Sequence, residues 1–530
     1  MTENGSSSRK KMLMTILLVV IVLIGFGVWF TWFKFFRVVP EPEWQAKNGH
    51  SAGDMRFMYG SVGAENGAGM PYWIAYVLPR VFPDLLPGRE GKPPGSGGYA
   101  ALGANWEQGE ELPIGFTKKT IGFVRVANNC AACHTARIRT RPDQNPRFVP
   151  TGPNHTFNLQ AYFRFVELCA KDPRFNSGRL MEEINQSADL SWVDQLIYRF
   201  ILIPATRRQI LALEGRFDWV FQHGDYWPEW GRGRDDAMNL TKYFLTGSKM
   251  DDTLGPTDMP SIWNLRKYDD NIPLHRLNFA GDSYDANSVI IDSALGLIRT
   301  APPSNAAFLN EVGWLHQYLG GYPPPKYRDF YPANTPGAID DVKAARGRMV
   351  FVANCAQCHE NAKVTGTVVP RAGVFMPNQP PLNTDVQRIL SWNREAAIKA
   401  NSAVSHFGIY RHGLVEENPY GYVAAFLDGI WLRAPYLHNG SVGSLREMLK
   451  PAAQRTPHFW RGFDVYDPAD AGFVSTPEQA KRLGVDWDDV LQVATPYDVR
   501  LRSCGNGGHE YGVTLSDADK DALIEYLKTL

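Results

Sequence analysis

The chain has 530 residues, with 55 lysines and arginines against 55 aspartates and glutamates, so its formal net charge is zero. A neutral chain argues against nucleic acid as the main partner, because such partners favour a basic surface. The length is sufficient for two or three domains with a large apolar core.

The first predicted element is an apolar segment at residues 12–33, which is interrupted only by Thr15 and Thr31. It is long enough to cross a bilayer as a helix, and the basic cluster at residues 9–11 predicts that residues 1–11 form a cytoplasmic tail. A cleaved signal peptide is the alternative, but no small-x-small cleavage site follows the segment. We therefore expect a single-pass anchor in a bacterial inner membrane, with the rest of the chain in the periplasm.

Residues 38–110 combine many glycines and prolines with interleaved aromatic residues, and we expect them to form an irregular wrap. From residues 113–116, Pro-Ile-Gly-Phe, the chain is predicted to run into a short helix. That helix carries the motif Cys-Ala-Ala-Cys-His at residues 130–134, and a near copy, Cys-Ala-Gln-Cys-His, stands at residues 355–359.

A C-x-x-C-H motif is typical of c-type haem attachment. Two thiols at this spacing can add to the two vinyl groups of one porphyrin, and the following histidine can then bind the iron. A zinc site would need two ligand pairs that meet in space and would not require a histidine after both. A thioredoxin-like motif needs no following histidine. The sequence therefore predicts two covalent haem c groups, attached at Cys130 with Cys133 and at Cys355 with Cys358.

The second half of the chain has the clearer helical pattern. An amphipathic helix is predicted at residues 305–319, followed by a proline-rich connector at residues 322–337. A helix at residues 341–352 then runs into Cys355, and a closing helix begins after Ser516, which is predicted to cap it together with Asp519.

A leading helix, a haem motif and a closing helix are the parts of a small helical cytochrome c domain. We therefore predict a mainly α fold with two cytochrome-c-like domains that carry large irregular insertions, in addition to the N-terminal transmembrane helix. The first haem domain is expected at residues 57–335 and the second at residues 336–530.

His134 and His359 are the predicted axial ligands that the motifs supply. His509 lies in a glycine-rich loop just before the closing helix, so we expect it to bind the second iron from the opposite side. A surface histidine in a turn is the alternative. His438 leaves three alternatives open, which are direct ligation, a role between the haems and a purely structural role. No comparably placed His or Met follows the first motif, which favours an open position on the first iron.

Two smaller features leave alternatives open. Arg232 or Arg234 can pair with a haem propionate, since arginine suits bidentate pairing, but a solvated loop is the other reading. Cys169 and Cys504 are not used by the motifs. They can form a disulfide in an oxidising compartment or stay as free thiols.

From Phe57 to the C-terminus the chain resembles the di-haem c-type cytochromes related to bacterial rubber oxygenases. More distantly it is similar to bacterial di-haem cytochrome c peroxidases and to methylamine-utilisation di-haem enzymes. Apart from both haem motifs, the resemblance rests on residues 59–63 (Tyr-Gly-Ser-Val-Gly), 113–116, 431–442 (Trp-Leu-Arg-Ala-Pro-Tyr-Leu-His-Asn-Gly-Ser-Val) and 508–512 (Gly-His-Glu-Tyr-Gly).

The resemblance implies that the first haem is bound by His134 alone and reacts with oxygen or peroxide. It implies that the second haem is held by His359 and His509 and transfers electrons. The related enzymes carry a tryptophan between their haems, whereas this chain has Phe279 at the corresponding place. Phenylalanine lacks the indole N–H and is harder to oxidise, so this departure argues against a radical relay through the residue.

Two functions are therefore expected. The first is a membrane-anchored redox enzyme of the oxygenase or peroxidase type, with His134, Phe279 and His438 as catalytic candidates. The second is a di-haem cytochrome that only transfers electrons, for which Phe279 and the membrane anchor argue. In either case the expected partners are the membrane and a redox partner, which is a protein or a small electron donor or acceptor. The enzyme would also react with oxygen or peroxide.

Overall fold

The computed structural model describes residues 3–88, 98–213, 215, 218–222, 224–268, 275–283, 286–298, 306–373, 380–404 and 420–530. Its α-helices are α1 (Glu3–Thr31), α2 (Ala52–Tyr59), α3 (Tyr72–Val81), α4 (Leu159–Lys171), α5 (Ser177–Ser187), α6 (Trp192–Ile197), α7 (Ile203–Ala212), α8 (Ala237–Leu240), α9 (Ala286–Ile298), α10 (Ala306–Gly321), α11 (Asp341–Asn354), α12 (Ala356–His359), α13 (Gln387–Leu390), α14 (Arg394–Val404), α15 (Leu445–Met448), α16 (Pro477–Leu483), α17 (Trp487–Val493) and α18 (Asp517–Leu527).

The strands are short and form small sheets of two or three strands within the described residues. They are β1 (Met70–Pro71), β2 (Phe116–Ile121), β3 (Phe123–Asn128), β4 (Thr135–Ile138), β5 (Arg147–Pro150), β6 (Arg234–Asp235), β7 (Thr257–Asp258), β8 (Val368–Pro370), β9 (Gly421–Val423), β10 (His458–Arg461), β11 (Tyr466–Asp467), β12 (Gly472–Phe473) and β13 (Thr495–Asp498). The predicted helical character holds, with more strand than the sequence pattern indicated.

The predicted N-terminal apolar helix is confirmed. Helix α1 continues through a π-helical turn at Trp32–Phe36, and residues Lys10–Phe36 are long and apolar enough to cross a membrane. A signal sequence near an N-terminus has the same properties, so insertion of this helix in a membrane stays a prediction.

The prediction of a helix before and across the first motif is wrong. Residues 116–128 form the antiparallel hairpin β2–β3, which β1 extends to a three-stranded sheet, and the motif itself begins with a 3₁₀ turn at Cys130–Ala132. The β-branched residues of Thr-Lys-Lys-Thr-Ile and Val-Arg-Val favour strands. Gly122 (φ +71°) supplies the left-handed residue at the hairpin turn. The irregular wrap predicted for residues 38–110 is likewise wrong over α2 and α3.

The predicted helices of the second half are confirmed. The helix expected at 305–319 is α10, and the one expected at 341–352 is α11, which ends directly before Cys355. Helix α11 crosses the closing helix α18 at Gly347, where a Cβ atom would stand 1.9 Å from the Ala522 carbonyl oxygen. Ser516 Oγ caps α18 by accepting a hydrogen bond from the Asp519 N–H at 3.2 Å.

The two halves of the chain pack closely against each other. Ala136, Ile138 and Val149 from the first half share one apolar cluster with residues of the second half. Arg137 and Arg139 bind the buried Asp464 carboxylate, each at 2.6 Å. The boundary between two domains at residues 335 and 336 therefore stays a prediction.

Candidate functional site

One cavity of about 1110 Å³ receives every site residue that the sequence predicted. Its walls are mainly apolar, and its volume exceeds the roughly 300–1,000 Å³ of a usual single-ligand pocket. The predicted residues on its walls are Cys130, Cys133, His134, Phe279, Cys355, Cys358, His359, His438 and His509. The fold thus brings two motifs 225 residues apart to a common space, while the role of each residue stays a prediction.

The backbone of the first motif is fixed by hydrogen bonds from the side chains of two asparagines. Asn129 Oδ1 accepts from the Ala131 N–H at 2.9 Å, and Asn154 Nδ2 donates to the Ala132 carbonyl at 2.7 Å. Gly115 (φ +84°) passes so close to Ala132 that a Cβ atom would stand 2.1 Å from its nitrogen. This close approach explains the glycine of the Pro-Ile-Gly-Phe motif.

His134 is oriented for ligation. Its Nδ1 lies 2.7 Å from the Pro260 carbonyl oxygen, and a carbonyl only accepts, so Nδ1 carries the proton and Nε2 is left free for a metal. Burial lowers the pKa of His134 to about 4, although the Pro260 carbonyl raises it. The imidazole is therefore neutral at pH 7, as a ligand must be.

His359 has the same arrangement in the second motif. Its Nδ1 lies 2.8 Å from the Ala425 carbonyl oxygen, which again leaves Nε2 free, and burial lowers its pKa. The His509 ring lies opposite, with ring centroids 6.3 Å apart. Two metal–imidazole bonds of about 2.0–2.1 Å each, with the two ring radii added, give roughly 6–6.5 Å. His359 and His509 are therefore at a separation at which both could hold one iron between them.

The loop that carries His509 is held by a buried arginine. His509 has φ +49°, a left-handed conformation that a non-glycine residue adopts at a cost of about 1 kcal/mol or more. Arg455 is 3% exposed and donates to the carbonyls of Asn506 at 2.5 Å and Gly508 at 2.8 Å. Leu382 contributes a further bond, since its carbonyl accepts from the His509 N–H at 2.8 Å. Strain of this kind is typical of functional positions.

His438 is buried beside Tyr422, with ring centroids 4.1 Å apart and His438 Nε2 at 3.1 Å from the Tyr422 hydroxyl. The Tyr422 hydroxyl donates to the Asp385 carbonyl at 2.5 Å, so Nε2 of His438 is the donor to the tyrosine oxygen. Burial lowers the pKa of His438 well below its ordinary value, with Arg388 adding to the effect. Phe279 lies in the neighbouring cluster with Tyr422 and Ile389.

Three polar groups on one segment of the cavity wall have no hydrogen-bond partner among the described residues. They are Thr384 Oγ1, Arg388 Nη1 and Trp392 Nε1, each from a side chain that is at most 3% exposed. Arg388 also forms a buried ion pair with Asp282 at 2.6 Å, which leaves Nη1 as its spare donor. A buried donor without an acceptor costs about 1–3 kcal/mol. A haem, with two carboxylates on one edge of an apolar ring, supplies the missing acceptors, so the cavity fits this group.

Sequence reasoning missed Arg388 and Arg455, because single arginines carry no motif and only the fold shows what they face. It had instead suggested Arg232 and Arg234 for the propionates. In the structure, Arg232 donates to the carbonyls of Thr156 and Ala101, and Arg234 to those of Pro256 and Ser503. Both side chains are buried, so the solvated-loop alternative is wrong, and neither residue lines the cavity.

Cys169 and Cys504 do not form a disulfide. Cys169 and Cys504 are both buried free thiols, and they belong to different apolar clusters. Arg234 Nη1 lies 3.4 Å from the Cys504 sulfur.

The chain is similar to known proteins over part of this site. A family model described as "RoxA-like, cytochrome c-like" matches residues 421–461, the stretch that holds Tyr422, His438 and Arg455. These residues form a cytochrome c-like domain, which implies covalently bound haem c. The chain is therefore linked to the cytochrome c class.

Two curated relatives come from Sinorhizobium fredii (strain NBRC 101917 / NGR234). The uncharacterized protein y4iM is 30% identical over 310 residues, which is 52% of this chain and 64% of that protein. The uncharacterized protein y4iJ is 24% identical over 487 residues, which is 76% of this chain and 77% of that protein. The alignment with y4iM thus spans less than two thirds of that relative's length.

Proposed function

We propose that the protein is a membrane-anchored, periplasmic di-haem c-type cytochrome with oxygenase- or peroxidase-type chemistry at the first haem. The second haem passes electrons to or from the first. The observation that supports this proposal is that residues of both C-x-x-C-H motifs line one cavity. There the His509 ring lies 6.3 Å from the His359 ring, whereas no such ring contact of His134 is found among the described residues.

The second site supports electron transfer because His359 and His509 would both hold the haem iron. His359 and His509 stand at the separation that one iron needs. Two strong protein ligands keep small molecules from the iron and hold its geometry similar in both oxidation states. Haem bound there supplies reversible one-electron chemistry, and Arg455 fixes the ligand loop so that little reorganisation is required.

The first site supports reaction with a small molecule. His134 holds one side of the site, and the remaining wall is mainly apolar. Haem bound there supplies an iron that can react with oxygen or peroxide. The protein's part is to keep His134 neutral through burial, to orient it through the Pro260 carbonyl, and to limit water through the burial of the surrounding side chains. We assign His438 a position between the two sites, where Tyr422 fixes its ring.

A purely electron-transferring cytochrome is the second candidate, and two observations favour it. Phe279 lines the cavity where related enzymes carry a tryptophan. Met238 and Met259 also line the cavity and can offer a thioether to the first iron. A methionine ligand would close the open position and turn the first haem into a second electron carrier.

Spectroscopy of the purified holoprotein separates the two functions. We expect ferric EPR to show one high-spin and one low-spin haem, and the reduced protein to bind one carbon monoxide per two haems. Peroxide should change the high-spin signal alone. Two low-spin haems that are inert to carbon monoxide, oxygen and peroxide would leave only the electron-transfer function standing.

A ligand variant tests the second site. His509→Ala should convert the second haem from low-spin to high-spin and raise carbon monoxide binding to one per haem. His458→Ala is the matched control, since that histidine is exposed and lies in strand β10. An unchanged low-spin signal in His509→Ala would assign the ligand to another residue.

A further inference from the structure

A row of exposed apolar side chains runs along the helical segment formed by α6, a π-helical turn at Tyr198–Leu202 and α7. Trp192 is 73% exposed, Phe200 68%, and Leu196 and Ile201 46% each. The spacing of four residues from Trp192 to Leu196 and on to Phe200 places them on one face of the helix. Soluble surfaces rarely expose a contiguous face of this kind without a partner.

This face lies beside the end of the apolar N-terminal helix. Lys34 forms an ion pair with Asp194 at 2.7 Å, two residues from Trp192. Phe30 and Phe35 pack against the cluster that contains Ile197 and Tyr198. The π turn therefore stands next to the point where the apolar helix reaches the folded domain.

The hairpin β2–β3 also contacts the end of the apolar helix, at residues 37–39. The Gly122 N–H donates to the Arg37 carbonyl at 2.7 Å, and the Val39 N–H donates to the Thr120 carbonyl at 3.0 Å. Contacts on two sides fix the direction in which α1 leaves the domain. The exposed row thus has a set position relative to the apolar helix.

We propose that this row is a second membrane contact, in which Trp192, Leu196, Phe200 and Ile201 enter the interfacial layer of the bilayer that α1 crosses. The inference rests on the proposed membrane anchoring. The bilayer is the occupant because the row is continuous with the membrane end of α1 through the Lys34–Asp194 pair. A tryptophan at one end and exposed arginines at 199 and 208 match the residues that interfacial helices place among lipid headgroups.

The contact would fix the orientation of the haem domain on the membrane. A single helix anchor allows the domain to tilt, whereas a second contact roughly a helix turn or more away restricts tilting. The same helical segment continues into the cavity wall through Thr206, Gln209 and Ile210. The membrane surface and the haem cavity therefore share one structural element.

Bromolipid quenching of a fluorescent label tests the proposal in the full-length holoprotein. Phe200→Cys, Val22→Cys and Val342→Cys are each labelled with bimane and reconstituted in phosphatidylcholine vesicles with and without brominated chains. Val22 lies in α1 and Val342 is an exposed apolar residue on α11. The ratio of the two intensities cancels quenching by haem. All three side chains are exposed, so the variants are expected to fold.

We expect brominated lipid to lower the emission at positions 22 and 200 by about twofold or more, and to leave position 342 unchanged. Quenching at 22 without quenching at 200, while iodide in the buffer reaches 200, would overturn the second contact and leave the anchor intact. Protection of 200 from both lipid and iodide would show a second protein copy on this face, which also overturns it. No quenching at 22 would overturn the anchoring itself.

Discussion

The crossing of α11 and α18 gives a substitution whose effect can be worked from the structure. Helix α11 runs directly into Cys355, so this crossing positions the second haem motif. At Gly347 an added Cβ would stand 1.9 Å from the Ala522 carbonyl oxygen and 2.8 Å from the Tyr526 Cβ. The helices would have to separate by about 1.5 Å to reach normal contact, and overpacking of this kind costs about 1–3 kcal/mol.

Gly313→Ala is the matched control. Gly313 lies inside α10, and a Cβ there would meet no described atom within 4 Å. Alanine is favoured over glycine in a helix by about 1 kcal/mol, so this variant should be as stable as the parent or slightly more stable. Gly347→Ala gains the same helix propensity. Its clash is with a backbone atom, which cannot move away as a side-chain tip can, so the cost lies toward the upper end of that range and the net destabilisation is up to about 2 kcal/mol.

Calorimetry of the holoprotein variants and EPR of the second haem provide the measurements. Gly347→Ala should melt at a lower temperature than the parent and show a perturbed low-spin signal, because the motif moves relative to His509. Gly313→Ala should melt no lower than the parent and keep the parent's low-spin signal. A Gly347→Ala protein that melts no lower than the parent would refute the close crossing.

Three further predictions concern buried charges. Arg455→Ala should free the His509 loop and give a partly high-spin second haem by EPR, with normal haem content; a fully low-spin spectrum would show that the loop holds itself. Asp464→Asn should lower stability by about 2–4 kcal/mol at pH 7, because Arg137 and Arg139 lose their partner. Burial raises the pKa of Asp464, but the two arginines outweigh it and hold the pKa below its ordinary value. The pair's contribution is therefore present above about pH 4 and lost as the pH falls further, and denaturation curves of both proteins from pH 7 to pH 3 should converge. Arg388→Gln should reduce the yield of folded holoprotein, because it leaves Asp282 buried without a cation. The double variant Arg388→Gln with Asp282→Asn should recover the yield but shift a haem reduction potential. An unshifted potential in the double variant would mean that Arg388 does not face a haem carboxylate.

The sequence was most informative where local chemistry decides the structure. Helices at residues 12–33 and 341–352 follow from an apolar run and an amphipathic pattern, and both are present. The hairpin at residues 116–128 was missed because two consecutive lysines, Lys118 and Lys119, break the alternation of apolar and polar residues in β2. Its pairing with β1 joins residues more than fifty positions apart.

The sequence allowed the candidate site residues to be chosen, but it did not show that they lie around one cavity. Each C-x-x-C-H motif is visible in the sequence, and a histidine in a glycine-rich loop is a reasonable ligand. The shared cavity depends on packing between residues such as Ala136 and Phe473, which no local pattern encodes. The partners of His134 and His359 are backbone carbonyls, so no side-chain signal could have shown them.

The two sites differ in the contacts that hold each histidine in place. At the second site His509 has a strained backbone, and the buried Arg455 binds its carbonyl. Together they hold the His509 imidazole opposite His359. At the first site the ordered elements, Asn129 and Asn154, hold only the motif itself. With haem at both motifs, His359 and His509 would hold one iron from two sides, and His134 would hold the other from one side. This difference between the sites is the reason for proposing a reacting first haem that is supplied by an electron-transferring second haem.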